Sequence, residues 1–368
     1  MKKTIFLLII TLLVSSLPVL SYASDDTADK LALLTELDIV QADVDVNNMT
    51  KAEFVDCVAR LMGYDGQTLS VDDLPYNDLY SGHKYASQIA YAYYHSVFEK
   101  DWTNLYPDDR VTVYFAKTVL VNALGYRDIP GLSKESISSK LLRGTKSDDD
   151  GVLIEGTVIN PLYNILSYSV IEQISVGANY SEYKSDGRTL LEKYRNIYKI
   201  SGRITADSTA ALSGEPCGKG YMRVDNTDYL FNGDSTLLVG ADAEVYVLSD
   251  DSHNEIVAVE VTRKTESLVI NAADYISFDG NTVKYYDGNA QRSASVSSPV
   301  IIFNGKTVSA SEYSASLFDI DSGSIVLMGT SGGAYDIIKI NSYKNMFAAS
   351  VDDQSDIVYP EISGCDSI

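Results

Sequence analysis

Cysteine and histidine are scarce in this 368-residue chain, with three residues of each. The cysteines, Cys57, Cys217 and Cys365, are odd in number and scattered, so the sequence predicts neither a disulfide framework nor a zinc site. The histidines also lie far apart, without the spacing that metal ligands require: they are His83, His95 and His253. We therefore expect no metal and no cofactor.

Basic residues are few as well, since 29 Lys and Arg stand against 51 Asp and Glu, for a formal net charge of −22. Binding to nucleic acid requires a basic surface, so this charge excludes a nucleic acid partner. Catalytic motifs are also missing: there is no Gly-x-Ser-x-Gly elbow, no Cys–His pairing and no Walker-type loop. We predict a protein that is not an enzyme, with no catalytic residues.

Only the N-terminus holds a long apolar run. Lys2 and Lys3 precede the apolar stretch Ile5–Leu20, and Ser21-Tyr22-Ala23 follows it. This order predicts a cleavable secretory signal over residues 1–23. An uncleaved membrane anchor is the alternative, but a span needs about 20 apolar residues, and Pro18 interrupts this stretch. We expect an exported protein with no transmembrane segment after signal cleavage.

An internal repeat organises the first half of the chain. Met49–Tyr64 matches Val111–Tyr126 without gaps at an offset of 62 positions. Apolar residues recur at helical spacing in both copies, which predicts two amphipathic helices. In the first copy Thr50 and Glu53 form a predicted capping box, and Gly63 is expected to end the helix.

A third, weaker copy of the repeat begins 42 positions after the second. Asn122–Tyr126 is echoed by Asn164–Tyr168, and Pro161 is expected to kink this helix or move its start. The acidic run Asp148–Gly151 lacks the alternating ligands of a calcium loop, so we interpret it as a solvated loop.

From about residue 198 the apolar pattern changes from helical spacing to alternation, which predicts strands. The predicted strands are Lys199–Thr205, Tyr221–Val224, Ala243–Leu248 and Ile256–Val261. Glu244–Lys264 then matches Ile325–Asn345 at an offset of 81. The second half therefore divides into small barrel- or sandwich-like β units over residues 199–264 and 265–345, with residues 346–368 as a tail or the start of an incomplete unit.

The helical repeats resemble the S-layer homology (SLH) domain of Gram-positive cell surfaces. The resemblance rests on the following residues: Leu37–Val40, Met49–Phe54, Leu61–Tyr64, Tyr76–Leu79, His83–Ala86, Tyr106–Asp108, Val111–Thr112 and Leu124–Tyr126. It implies an α+β multidomain protein in which three SLH repeats, over residues 24–75, 76–130 and 131–198, form a pseudo-threefold helical bundle. The third repeat is degenerate and includes a connecting helix.

By the same resemblance, the protein would bind a secondary cell-wall polysaccharide, often bearing pyruvate groups, through Thr50, Lys51, Glu53 and Lys84. A cation beside free amides at a helix N-terminus is a good carboxylate receptor. The sequence departs from the family pattern because Lys51 replaces the usual Arg, and Val113 replaces it in the second copy.

Three functions stay open on the sequence alone. The first is a non-enzymatic protein of the cell wall and surface layer, attached through its SLH repeats, with β units as spacer or self-associating layer material. The second is a secreted adhesin-like binding module on a degenerate SLH scaffold. The third is the targeting portion of a cell-wall enzyme.

Overall fold

The structure is a computed structural model that describes residues 26–126, 129, 134–176, 181–250, 253–343, 348–352 and 357–360. The predicted signal peptide and Cys365 lie outside these residues. Strands account for 34% of the described structure and helices for 23%, so the protein is mostly β.

Seven short α-helices occur in the described residues between positions 26 and 195. They are α1 (Asp26–Glu36), α2 (Lys51–Leu61), α3 (Ala86–Tyr94), α4 (Val113–Ala123), α5 (Lys134–Leu141), α6 (Ile159–Asn164) and α7 (Leu190–Arg195). The two repeat helices α2 and α4 are followed by Gly63 and Gly125 with φ of 85° and 80°, the left-handed backbone that glycine adopts without strain. Helix α6 starts only two residues before Pro161, so the proline does shift the helix start.

The predicted fold class is wrong in its main feature, because the described residues contain no pseudo-threefold helical bundle. The helices have only 6 to 11 residues, and irregular segments separate them. Their apolar faces are not covered by helices alone, since Ile197, Tyr246 and Ala258 from strands belong to the same core. Tyr163 on α6 also donates a 2.5 Å hydrogen bond to Glu260 on a strand. The helical half therefore packs onto β structure instead of closing on itself.

A hairpin and a closed barrel follow the helices. The hairpin pairs β1 (Ser169–Val176) with β2 (Ser181–Thr189) and was not predicted. The barrel consists of β3 (Ile197–Ala206), β4 (Tyr221–Val224), β5 (Thr227–Leu230), β6 (Asp242–Ser249) and β7 (Asn254–Val261). Its order is β3-β4-β5-β7-β6, with β5 and β7 parallel. This is the connectivity of the five-stranded Greek-key barrels called OB folds.

A second sheet occupies the rest of the described β region. Its strands are β8 (Thr265–Asn271), β9 (Tyr275–Phe278), β10 (Thr282–Asp287), β11 (Ala290–Phe303), β12 (Lys306–Thr307), β13 (Gly323–Thr330) and β14 (Tyr335–Ser342). They are arranged β8-β13-β14-β11-β10-β9, with β12 beside β11. All four ends of the β13–β14 hairpin lie 81 positions after those of β6–β7, as the sequence repeat predicted. A last hairpin pairs β15 (Ala348–Asp352) with β16 (Ile357–Pro360).

The barrel and the second sheet share an apolar core and several polar contacts. Both terminal guanidinium nitrogens of Arg203 on β3, Nη1 and Nη2, donate to the carboxylate of Asp336 on β14, each at 2.8 Å. Lys339 on β14 is buried, and its ammonium donates to the carbonyls of Thr236 at 3.3 Å and Leu237 at 2.8 Å. These contacts fix how the sheet sits against the barrel.

Candidate functional site

The start of helix α2 has the capping box that the sequence predicted. Glu53 N–H donates to Thr50 Oγ1 at 3.2 Å, and Thr50 N–H donates to Glu53 Oε2 at 2.8 Å. The Thr50 hydroxyl also donates to the same carboxylate oxygen at 2.9 Å. Thr50 and Glu53 therefore satisfy each other's hydrogen-bonding groups, and helix capping alone explains the presence of both residues.

The first amides of α2 are occupied by a neighbouring loop. Lys51 N–H donates to the carbonyl of Asp109 at 2.8 Å, and Ala52 N–H donates to the carbonyl of Pro107 at 2.9 Å. A carboxylate receptor built on free helix amides needs those donors. Because the loop takes them, any anion at α2 would depend on the Lys51 side chain alone.

The same docking recurs one repeat later. Thr50 forms an isolated antiparallel bridge with Arg110, and Thr112 forms the equivalent bridge with Val152. Val113 N–H donates to the carbonyl of Gly151 at 2.8 Å, just as Lys51 N–H does to Asp109. The sequence offset of 62 relates Thr50 to Thr112, and the offset of 42 relates their bridge partners Arg110 and Val152. The repeat is therefore present in the tertiary contacts as well as in the sequence. The Asp148–Gly151 loop thus serves as a docking segment.

The Lys51 side chain lies in a slot between aromatic rings. Its ammonium is 5.3 Å from the ring centroid of Tyr106 and 5.7 Å from that of Phe115. The carboxylate of Asp109 lies 3.5 Å from it; the Lys51 side chain is 13% exposed and the Asp109 side chain 66%. The Lys51 ammonium thus lies against two aromatic rings and is paired with one solvent-exposed carboxylate, that of Asp109.

Tyr106 is presented to Lys51 in an unusual backbone conformation. Its φ is 53°, the left-handed region that L side chains rarely adopt. The carboxylate of Asp78 accepts hydrogen bonds from the amides of Leu105 at 3.0 Å and Tyr106 at 2.6 Å, which holds the loop in place. Strained residues kept in this way concentrate at binding sites.

Further aromatic rings continue this surface. Trp102 stacks on Phe115 with an interplanar angle of 13°, and its centroid lies 6.4 Å from that of Tyr114. Tyr106 and Tyr114 are 56% and 64% exposed. We call Lys51, Trp102, Tyr106, Tyr114 and the supporting Phe115 the Lys51 surface. Exposed rings beside hydrogen-bonding groups suit a ligand with both apolar and polar faces, such as a sugar.

His83 and Lys84 lie near this surface. His83 Nδ1 accepts from the amide of Tyr85 at 3.1 Å, so its proton is on Nε2, which faces Asp108 Oδ1 at 3.2 Å. Lys84 is exposed, and its ammonium lies 3.8 Å from Asp43. A hydrogen bond with the Tyr85 hydroxyl raises the pKa of Lys84, and the charge of Glu53 adds to the effect. The Lys84 ammonium thus lies close to Asp43 and to the ring of Tyr85, whose centroid is 4.8 Å away.

Sequence reasoning named Thr50, Lys51, Glu53 and Lys84 but missed the rings around Lys51. Tyr106 belongs only to the residues that carry the resemblance to SLH repeats, and no site prediction is attached to Asp109. The one available signal was the position of the loop that contains both residues, directly before the second repeat helix, since each such loop docks on the preceding helix start.

No protein-family model matches the sequence, and no curated protein matches it either. In the described part of the chain, every helix is too short or too polar to cross a membrane. Among the same residues, no group of three or more His, Cys, Asp or Glu side chains is arranged to hold a metal ion.

Proposed function

We propose that this protein is a non-enzymatic component of a Gram-positive cell envelope, exported and attached to a wall polysaccharide through the Lys51 surface. The observation that carries the proposal is the slot in which Lys51 lies between Tyr106 and Phe115, beside the exposed Tyr114 ring. Further support comes from the predicted export signal and from the likeness of the repeats to SLH sequences. The β units would then act as spacer or surface-layer material.

The paired acid indicates how an acidic polymer would bind. The Lys51 side chain is mostly buried, whereas Asp109 is mostly exposed and only 3.5 Å from the ammonium. A carboxylate on the polymer, such as a pyruvate group, would displace Asp109 and take its place over Lys51. Exposed rings of Tyr106 and Tyr114 would meanwhile contact the sugar rings.

The experiment is a sedimentation assay of the mature chain, residues 24–368, on purified walls of the source organism, with and without the secondary polysaccharide. We expect binding to disappear with the polysaccharide. Tyr106→Ala and Tyr114→Ala should each weaken binding about 5–10-fold, the equivalent of about 1–1.4 kcal/mol. Tyr286→Ala is the matched control, because Tyr286 is 48% exposed but lies on β10.

Two further variants test the charge. Lys51→Ala should weaken binding to an acidic polysaccharide, whereas Asp109→Asn should strengthen it by removing the competing carboxylate. Neither change should matter for the same polymer after its acidic groups are removed. Unchanged wall binding in Lys51→Ala and in both tyrosine variants would refute this site. Wall binding through residues 199–368 alone would favour the adhesin hypothesis.

A further inference from the structure

A cleft of about 590 Å³ opens in the barrel wall between β5 and β7. In the described structure, these two strands pair at one position only, Leu230 with Glu255, so the barrel has a seam there. One side of the cleft is the segment after β5, the other is β7, and Glu36 at the end of α1 reaches into it. Its volume falls within the range of small-ligand sites, about 300–1,000 Å³.

The cleft has an apolar side built around Phe231. This half-buried ring packs against the backbone of Gly233, where a Cβ atom would lie only 2.5 Å from Phe231 Cζ. Glycine at this position therefore allows the ring to fold over the loop. Val257 and Val259 of β7 also line the cleft and add apolar surface to it.

A β-bulge shapes the strand that forms this wall. Tyr246 pairs with Ala258, but the next residue, Val247, pairs with Ile256. Val257 is therefore an extra residue on β7, and the alternation of inward and outward side chains shifts there. Bulges redirect side chains in this way next to binding sites.

The polar side of the cleft is formed by three carboxylates and the Asn232 side chain. Glu255 accepts from the Asn232 amide across the seam at 2.7 Å, and Asp234 accepts from the amide of Thr236 at 2.9 Å. The Glu36 carboxylate accepts from the backbone of Val259. Each carboxylate thus has an anchoring bond and retains further lone pairs for a ligand.

Electrostatics in the cleft favour a cation. The lining residues include three acids and no Lys or Arg. Part of the Glu36 side chain reaches solvent, yet its carboxyl loses enough hydration that its pKa is raised. Glu36 is the last residue of α1, and the C-terminal end of a helix adds partial negative charge.

We propose that this cleft binds a sugar unit that carries a free amino group. Such a sugar has an apolar ring face for Phe231, hydroxyl donors for the carboxylates, and an ammonium group that matches the net negative charge. Its neutral N-acetylated form lacks the charge that this lining selects. The site lies on the barrel, uses none of the residues of the Lys51 surface, and does not depend on the function proposed above.

The test is isothermal titration calorimetry of the mature chain, residues 24–368, with two probes: a glucosamine tetrasaccharide and its fully N-acetylated counterpart. The pH is chosen so that the amino groups are charged and the carboxylates ionised. We expect the free amine to bind at least about tenfold more tightly. Glu36→Gln and Glu255→Gln should each weaken it about tenfold, because each removes one charged acceptor.

Two variants and one control separate the roles. Phe231→Ala and Gly233→Ala should both weaken binding, the second because the added methyl displaces the ring. Asp149→Asn is the matched control, since Asp149 is an exposed acid outside the cleft. Circular dichroism establishes that each variant is folded. Lys51→Ala should leave this affinity unchanged, so failure of either proposal is recognised independently.

Three outcomes would overturn the proposal. The first is equal affinity for the free and N-acetylated probes. The second is unchanged affinity in both glutamine variants. The third is that a tri-lysine peptide competes for the site and binds as tightly as the glucosamine tetrasaccharide. The cleft would then recognise an ammonium group and not the sugar ring.

Discussion

Because Tyr106 has a left-handed backbone conformation, its replacement by glycine should weaken wall binding while changing the stability of the fold only slightly. An L side chain in this region costs about 1–2 kcal/mol, a strain that glycine relieves. Glycine also gives the unfolded chain more freedom, which costs about 0.4–1 kcal/mol. Loss of the ring contact with Lys51, at 5.3 Å, costs about 0.5–1 kcal/mol at this exposed site. Tyr106→Gly should therefore stay within about 1 kcal/mol of the wild type.

Tyr106→Ala keeps the strain and loses the ring. The glycine variant should thus be more stable than the alanine variant by about 1 kcal/mol. Equilibrium denaturation in urea measures this difference through the fluorescence of Trp102, the sole tryptophan, which stacks on Phe115. Both variants should weaken wall binding to the same extent, about 5–10-fold, because both lack the ring.

Tyr94 is the control for this comparison. It is 58% exposed, like Tyr106, but it is the last residue of α3. Alanine should be the more stable replacement there, since glycine disfavours helix. An alanine variant of Tyr106 that equals or exceeds the glycine variant in stability would refute the left-handed conformation. A glycine variant that binds walls like the wild type would refute the role of the ring.

Three more predictions concern the framework. Thr50→Ala should lower the free energy of unfolding by about 1–2 kcal/mol and Thr112→Ala by less, because only Thr50 has a reciprocal Glu; the same fluorescence assay compares them. Burial lowers the pKa of Lys339 to about 8 from 10.5, so above pH 8 the unfolded chain binds more protons than the folded one. The stability of the wild type relative to Lys339→Met should therefore rise between pH 8 and 10.5, and pH-dependent denaturation that gives parallel curves would contradict this assignment. Arg203→Lys should weaken the contact between the barrel and the second sheet by about 0.5–1 kcal/mol, because lysine cannot form both bonds to Asp336; a double-mutant cycle with Asp336→Asn measures the coupling.

Local features of the chain were predictable because their causes lie within a few residues. Thr50 and Glu53 are three positions apart, and their capping box depends only on that spacing. The β6–β7 and β13–β14 hairpins were also predictable, because alternating apolar residues and the offset of 81 mark strand ends directly.

The predicted helical bundle failed for a reason that local patterns do not contain. An amphipathic helix requires an apolar partner, but its sequence does not say whether that partner is another helix or a sheet. Here Tyr246 and Ala258 from the barrel join the core of the helical half. The hairpin β1–β2 occupies a region for which the sequence predicts a third repeat and a connecting helix.

The candidate sites show the same division. The sequence alone determined that α2 begins at Thr50, that Lys51 follows it, and that a related helix returns 62 positions later. Tertiary structure decided that carbonyls of Pro107 and Asp109 would occupy the helix amides and that aromatic rings would enclose the Lys51 ammonium. It likewise placed Glu36 beside a barrel seam some two hundred positions away in sequence. Hydrogen bonds to a cap form between close neighbours in the chain, whereas the surroundings of a side chain depend on which distant segments pack together, and no local pattern encodes that packing.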